Sequence, residues 1–214
     1  MRTPKGLFIV LEGPDKSGKS TQARLLVAKL RALGNDVLHT REPGGTSFAE
    51  EVRRILLSND YQVHPVAELL LYEASRAQHT EERLRPALAA GKVVVCERYT
   101  LSTTVYQGHA RRLDLKLVAS ANKIATGGLT PDLTFVLDLP ESEFGARDAG
   151  RVHDRLENEP ADFRRRVREG YRKAKGRGIV RLDGRMPVAE IQARMLALLE
   201  PLTKSKLRTK LSTK

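Results

Sequence analysis

The chain has one cysteine, no tryptophan, and only five tyrosines and five phenylalanines among its 214 residues. A lone Cys96 excludes an intrachain disulfide, and no Cys/His spacing suggests a zinc site. The longest uninterrupted apolar runs, 7–11 and 195–199, are five residues long, whereas a membrane-spanning helix needs about 20. The opening Met1-Arg2-Thr3-Pro4-Lys5-Gly6 leads directly into a strand-like run, so no secretion signal is expected and a reducing cytoplasm is the expected compartment. Acidic residues are also in short supply, 26 against 38 Lys and Arg, leaving a net charge of +12.

What is present fits a folded, globular chain: 40% apolar and 30% charged residues are too apolar for general disorder. The length is about one and a half times that of a typical domain, which suits one large domain with a small mobile element. The basic excess is clustered. Residues 164–177 carry eight basic side chains and one acid, Glu169, and residues 203–214 carry Lys204, Lys206, Arg208, Lys210 and Lys214. Such a balance favours polyanionic partners, either nucleic acid or phosphorylated small molecules. Because the basic stretches are not interleaved with aromatics, a stacking platform for single strands is disfavoured.

Five short, nearly continuous apolar runs, 7–11, 37–39, 93–96, 133–137 and 179–182, read as buried parallel strands. Helical patterns separate them. Leu26, Leu30 and Leu33 share a face over 20–33, as do Ile191, Met195, Leu198, Leu199 and Leu202 over 191–202. Phe163, Val167 and Tyr171 stand at i, i+4 and i+8, placing the neighbouring arginines on the solvated side of an amphipathic helix. This alternation predicts an α/β fold, a doubly wound five-stranded parallel sheet flanked by helices. From Thr203 on, apolar periodicity fades, so residues 1–203 are expected to form the domain and 204–214 a basic tail.

Gly13-Pro14-Asp15-Lys16-Ser17-Gly18-Lys19-Ser20 matches G-x-x-x-x-G-K-[ST] between an apolar strand and an amphipathic helix. In such a loop, backbone N–H groups wrap phosphate oxygens and the following helix adds its positive end. Lys19 would reach the β- and γ-phosphates, and the Ser20 hydroxyl would sit on Mg²⁺. The motif predicts a nucleoside triphosphate, with Thr21 the next contact, and nothing narrower.

After the second strand comes Thr40-Arg41-Glu42-Pro43-Gly44-Gly45-Thr46, at the sheet edge where ligands bind in an open α/β fold. Here the chain resembles the thymidylate kinases, P-loop nucleoside monophosphate kinases that phosphorylate dTMP. The resemblance continues through Glu51-Val52-Arg53, Leu71-Tyr72-Glu73-Ala74-Ser75-Arg76-Ala77-Gln78, Glu97-Arg98-Tyr99, Leu101-Ser102-Thr103-Thr104-Val105-Tyr106-Gln107-Gly108, Pro131 to Asp138, and Asp154-Arg155-Leu156-Glu157. It implies ATP and Mg²⁺ at the loop, dTMP as acceptor, a mobile lid around 143–158 and a homodimer. Nucleic acid would engage only the basic tail.

The resemblance also implies roles for individual residues. Glu42, Pro43, Arg53 and Tyr106 belong to the acceptor side, and Asp15 contacts the sugar hydroxyl. Tyr72 and Arg76, at i and i+4, share a helix face, where a ring stacks on a base and a guanidinium donates to its carbonyls. By themselves those two residues read rather as a core Tyr beside a surface Arg, and it is the resemblance that places them at the base. Thr103 and Gln107, also four apart, would read the base edge. Arg98, just past a strand, would clamp a phosphate in bidentate fashion. Glu97 stands where the family usually has Asp, and joins Ser20 as the expected metal contact. Lys16 fills a loop position that is Gly or Arg in relatives, and Lys19, Glu97, Arg98, Arg151 and Arg155 form the expected catalytic set. Arg151 would swing over the phosphates, while Arg155 would pair with Asp154, Glu157 or the acceptor phosphate. His39 is expected in the core; His64, His79, His109 and His153 receive no role. Two other readings stay open: a kinase of another monophosphate or nucleoside, prompted by Glu97 and Tyr72, and a nucleic-acid-binding P-loop protein, prompted by the charge.

Overall fold

A computed structural model describes residues 6–140, 143 and 153–207. The five predicted strands form one parallel sheet in the order β2-β3-β1-β4-β5. They are β1 (Leu7–Glu12), β2 (Val37–Arg41), β3 (Val93–Glu97), β4 (Leu133–Asp138) and β5 (Ile179–Asp183). Each runs one or two residues beyond its apolar stretch, because the strand ends carry the polar residues of the ligand edge. β1 is central, with Ile9 paired to Val95 on one side and Leu133 on the other, and every one of its side chains is buried. A strand covered on both faces is apolar throughout, which explains the run from Leu7 to Leu11. The chain crosses from β3 to β4 over β1, so the loops after β1 and β3 flank a switch point, where an open α/β sheet binds ligands.

The helices are α1 (Lys19–Ala32), α2 (Ser47–Leu57), α3 (Pro65–His79), α4 (Arg85–Ala89), α5 (Thr100–Thr103), α6 (Leu115–Thr126), α7 (Ala161–Lys173) and α8 (Val188–Leu207), with π-helical turns at Thr80–Leu84 and Thr104–Ala110. Odd-numbered residues of β1 pack with Leu26 and Leu30 of α1 and with Met195 and Leu199 of α8. Phe8 and Val10 face the other way, onto Leu84, Leu88, Cys96 and Tyr99. A third cluster joins Val105, Tyr106, Phe163, Val167 and Tyr171.

Helix starts are built differently according to their task. Thr46 caps α2 by accepting the Ala49 N–H at 3.1 Å, Asp114 caps α6 through Lys116, and Pro65 opens α3. α1 begins after Gly18 with no side-chain cap and no acid in its first turn. Its orphan N–H groups are thus directed at the loop rather than satisfied by a neighbour.

Four expectations need correction. Leu33 is 63% exposed, because α1 has already ended at its C-cap. Leu198 is 42% exposed, on the outer side of α8. Arg168 is buried, so the α7 arginines are not all solvated. α8 also continues to Leu207, four residues into the segment read as tail. Residues 144–152, with Arg147 and Arg151, lie outside the described residues, as do 208–214.

Candidate functional site

The loop after β1 needs its glycines. Gly13 has φ +139°, and a Cβ there would lie 2.4 Å from the Leu137 carbonyl oxygen, too close for any side chain. Gly18 has φ +95° and Lys16 φ +64°, so the chain turns through left-handed geometry and directs its amides inward. The Lys19 ammonium donates to the carbonyls of Gly13 (3.0 Å) and Pro14 (2.6 Å). Burial, followed by the nearby Arg98 charge, pulls its pKa down to about 7. A phosphate would offer it better acceptors than these carbonyls.

At the end of β3, the Glu97 carboxylate is held between two strands and the loop helix. One oxygen accepts from the Ser20 hydroxyl, and the other meets His39 Nε2 at 3.0 Å. Desolvation would raise its pKa, but the hydrogen bonds from His39 and Ser20 outweigh that and lower it. His39 is therefore not a core residue; being half-exposed on β2, it serves as a strut for the longer Glu97. The sequence hid this because register, which sets His39 opposite Val95 and Arg41 opposite Glu97, is a tertiary property. Ser20 and Glu97 place two hard oxygens beside Lys19. Among the described residues no cluster of three or more His, Cys, Asp or Glu is gathered for a metal. Mg²⁺ held by one or two protein oxygens, phosphate and water requires no such cluster.

Arg98 adopts φ +67°, which turns its side chain back over the loop. Its Nη1 donates to the Gly13 carbonyl (3.2 Å), Ser102 Oγ (3.2 Å) and the Tyr171 hydroxyl (3.0 Å), and its Nη2 to Asp15. Tyr106 donates to the other Asp15 oxygen at 2.9 Å. Desolvation works against the Asp15 carboxylate, yet the charges of Arg98 and Lys19 hold it well below the usual range. Beneath them, buried Glu12 takes the N–H groups of Tyr99 and Ser102 and the hydroxyls of Ser102 and Tyr171.

Two spaces meet at this arginine. A cleft of about 620 Å³ runs from the P-loop past Glu97 to Arg185 and Met186. A smaller pocket of about 80 Å³ is enclosed by Pro43, Tyr72, Thr103, Tyr106 and Gln107. Asp15, Glu42, Arg53 and Arg98 line both. Arg53 is fixed there by donating to the Pro43 carbonyl at 2.9 Å. The π-helical turn at 104–110 brings Tyr106 and Gln107 round to the same wall as Thr103, a use common for such turns.

Arg76 does not line the pocket. It lies buried behind the wall, donating to Glu42 (2.7 Å), Glu73 (2.8 Å), Thr103 (2.8 Å), Asn122 (3.0 Å) and the Tyr99 carbonyl (3.2 Å). His79, given no role by the sequence, bridges Glu42 and Thr40. Arg155 pairs with neither Asp154 nor Glu157: its Nη1 meets Glu68 at 2.7 Å and its Nε the Leu56 carbonyl at 2.9 Å. Glu12, Glu68 and His79 were missed because a polar residue inside an apolar pattern carries no sign of its partners. Glu12 at least ends a run of five apolar residues immediately before the loop.

The thymidylate kinase family model matches residues 11–195. The chain is 48% identical over 198 residues to a thymidylate kinase from a Synechococcus species, covering 91% of this chain and 95% of the relative. It is 45% identical over 198 residues to the thymidylate kinase of Deinococcus radiodurans, covering 90% and 96%. The crystal structure of a thymidylate kinase from Ehrlichia chaffeensis superposes with a TM-score of 0.74 at 29% identity, covering 91% of this chain and 98% of that one.

Proposed function

The chain belongs to the thymidylate kinase family, and we propose that it transfers the γ-phosphoryl of ATP to dTMP, giving ADP and dTDP. The observation carrying this reading is the shared wall of the two spaces: Asp15, Arg53 and Arg98 line both the phosphate cleft and the small pocket. A triphosphate in the cleft and a monophosphate in the pocket would meet beside the Arg98 guanidinium. Transfer of a phosphoryl group asks little covalent work of a protein; it needs alignment and positive charge around the equatorial oxygens.

In this reading Gly13 to Thr21 wrap the triphosphate and Lys19 leaves its loop carbonyls for the β- and γ-phosphates. Arg98 and Arg53 hold the acceptor phosphate. Asp15, fixed by Arg98 and Tyr106, accepts the sugar hydroxyl, and Tyr72 stacks on the base. Ser20 and Glu97 hold Mg²⁺, which supplies charge neutralisation across the phosphates when bound. Arg151 contributes a further cation from the lid. Arg76 acts from behind the wall rather than on the base.

A homodimer completes the proposal. Phe48 and Ile55 on α2, Val66 and Leu70 on α3, and Leu117 and Ile124 on α6 are exposed, Ile124 by 83%, and these helices pack side by side. Apolar side chains gathered on adjacent helices suit a subunit interface. A cytoplasmic location is in keeping with the described helices, none of which is long and apolar enough to cross a membrane. Steady-state ADP release with a panel of nucleoside monophosphates tests the activity, and sedimentation tests the dimer.

A further inference from the structure

Behind the wall of the small pocket, Glu68 of α3 is completely buried. It accepts from Gln107 Nε2 at 2.7 Å, from Arg111 Nε and Nη2 at 3.1 and 3.0 Å, and from Arg155 Nη1 at 2.7 Å. Desolvation opposes its charge, but the hydrogen bonds from Arg111 and Gln107 prevail and hold its pKa down. An ionised carboxylate can only accept hydrogen bonds. The Gln107 amide therefore has one way round: its NH₂ faces Glu68 and its Oε1 faces away. Gln107 itself lines the pocket, and among the described residues no group donates to that oxygen.

A fixed carbonyl on a pocket wall selects for a ligand N–H. A 4-oxopyrimidine such as thymine or uracil carries N–H at ring position 3. A 4-aminopyrimidine such as cytosine carries a bare lone pair there, and two facing acceptors repel. A buried site built for one pattern rejects the other because its polar group is left unpaired. Were the amide free to turn, its NH₂ could serve the cytosine lone pair equally well.

We infer that Glu68 is a positioning residue for base selectivity: by fixing the polarity of the Gln107 amide, it makes the pocket accept 4-oxopyrimidine monophosphates and reject 4-aminopyrimidine ones. The inference rests on the small pocket being the nucleoside monophosphate site. Arg111 and Arg155 contribute by keeping Glu68 ionised, which links selectivity to the base of the lid segment.

The test compares kcat/KM for dTMP, dUMP and dCMP in the parent and in Glu68→Gln, with thermal melts to verify folding. A neutral amide at position 68 can donate to Gln107 as well as accept from it, so the Gln107 amide is free to turn. The dTMP-over-dCMP preference should fall by about tenfold or more, through a relative gain for dCMP that general damage would not produce. Equal proportional losses on both substrates, or an unchanged preference in folded Glu68→Gln, would overturn the inference. If Glu68→Gln does not fold, Gln107→Met should abolish the preference, and a preference that survives it overturns the inference. In the parent, the Gln107 side-chain NH₂ signals in a ¹⁵N spectrum should be protected from exchange with and without dTMP. Freely exchanging signals would contradict the Glu68 contact whatever the substrate proves to be. A parent that turns over none of the three nucleotides would instead remove the reading of the pocket, a failure visible before any variant is made.

Discussion

The carboxylate of Glu12, buried at the end of β1, accepts the backbone N–H of Tyr99 at 2.8 Å. Through that bond and its neighbours to Ser102 and Tyr171, the central strand holds the segment carrying Arg98 in its left-handed turn. The same two hydroxyls receive the Arg98 guanidinium from above. Glu12→Gln should therefore do two things. Replacing an acceptor oxygen by an NH₂ facing donors should cost about 1–3 kcal/mol. At about 2–4 °C per kcal/mol for a chain of this size, a thermal melt should fall by several degrees. Turnover should drop further than the KM for ATP rises, because the displaced group lies over the reacting phosphates. An unchanged melt and unchanged turnover would mean that Glu12 has no part in holding Arg98.

Lys19 offers a pH prediction. Its pKa in the folded protein is about 7, against the ordinary 10.5. Between those values the unfolded chain holds the proton that the folded one has given up, so Lys19 makes stability rise with pH across that window. A triphosphate would restore the charge. ATP binding at pH 8 should thus take up a proton, seen as a dependence of calorimetric heat on the buffer's ionisation enthalpy. The dependence should vanish in Lys19→Ala, which should also lose transfer while keeping its fold. Buffer-independent heats in the parent would contradict the depressed pKa.

Arg76→Ala should act first on stability. Removing it strands Glu42 and Glu73 in the interior, and breaking a buried pair costs about 3–5 kcal/mol. Arg76→Lys should not rescue it, since one ammonium cannot reach partners spread around a planar fork. Denaturant unfolding checks this: loss of dTMP binding with full stability would put Arg76 on the base itself.

How far the sequence discloses this molecule depends on what each feature requires. The strands were readable because β1, β3 and β4 are covered on both faces, leaving short apolar runs bounded by polar residues; the equally long run at 195–199 differs in continuing a helical spacing from Ile191 to Leu202. The phosphate loop was readable because its glycines are demanded by local backbone geometry. Pairings across the sheet and between helices were not. The His39–Glu97 contact needs the register of β2 on β3, and the Glu68–Gln107 contact needs α3 against the π-helical turn. Arg76 and Tyr72 do share a helix, as their spacing says, yet spacing could not tell that Tyr72 lines the pocket while Arg76 supports it from behind.

The basic C-terminal segment should be dispensable for chemistry, but the cut must respect α8. Deleting residues 208–214 removes three basic residues, Arg208, Lys210 and Lys214, without entering the helix that ends at Leu207. Turnover should stay the same, while retention on immobilised nucleic acid weakens and depends less steeply on salt. A large loss of turnover would assign the segment to the site or to a subunit interface.

The central claim is phosphoryl transfer from ATP to dTMP across the wall shared by Asp15, Arg53 and Arg98. ADP release should be measured for the parent and Lys19→Ala at saturating ATP and Mg²⁺, with dTMP, dUMP, dCMP, dAMP and dGMP each as acceptor. The parent should turn over dTMP and dUMP well ahead of the other three, and Lys19→Ala should be essentially inactive with a parental melt. Equal turnover of the purine monophosphates, or a Lys19→Ala variant within about tenfold of the parent, would contradict the account, since charge stabilisation at such a position is worth several kcal/mol.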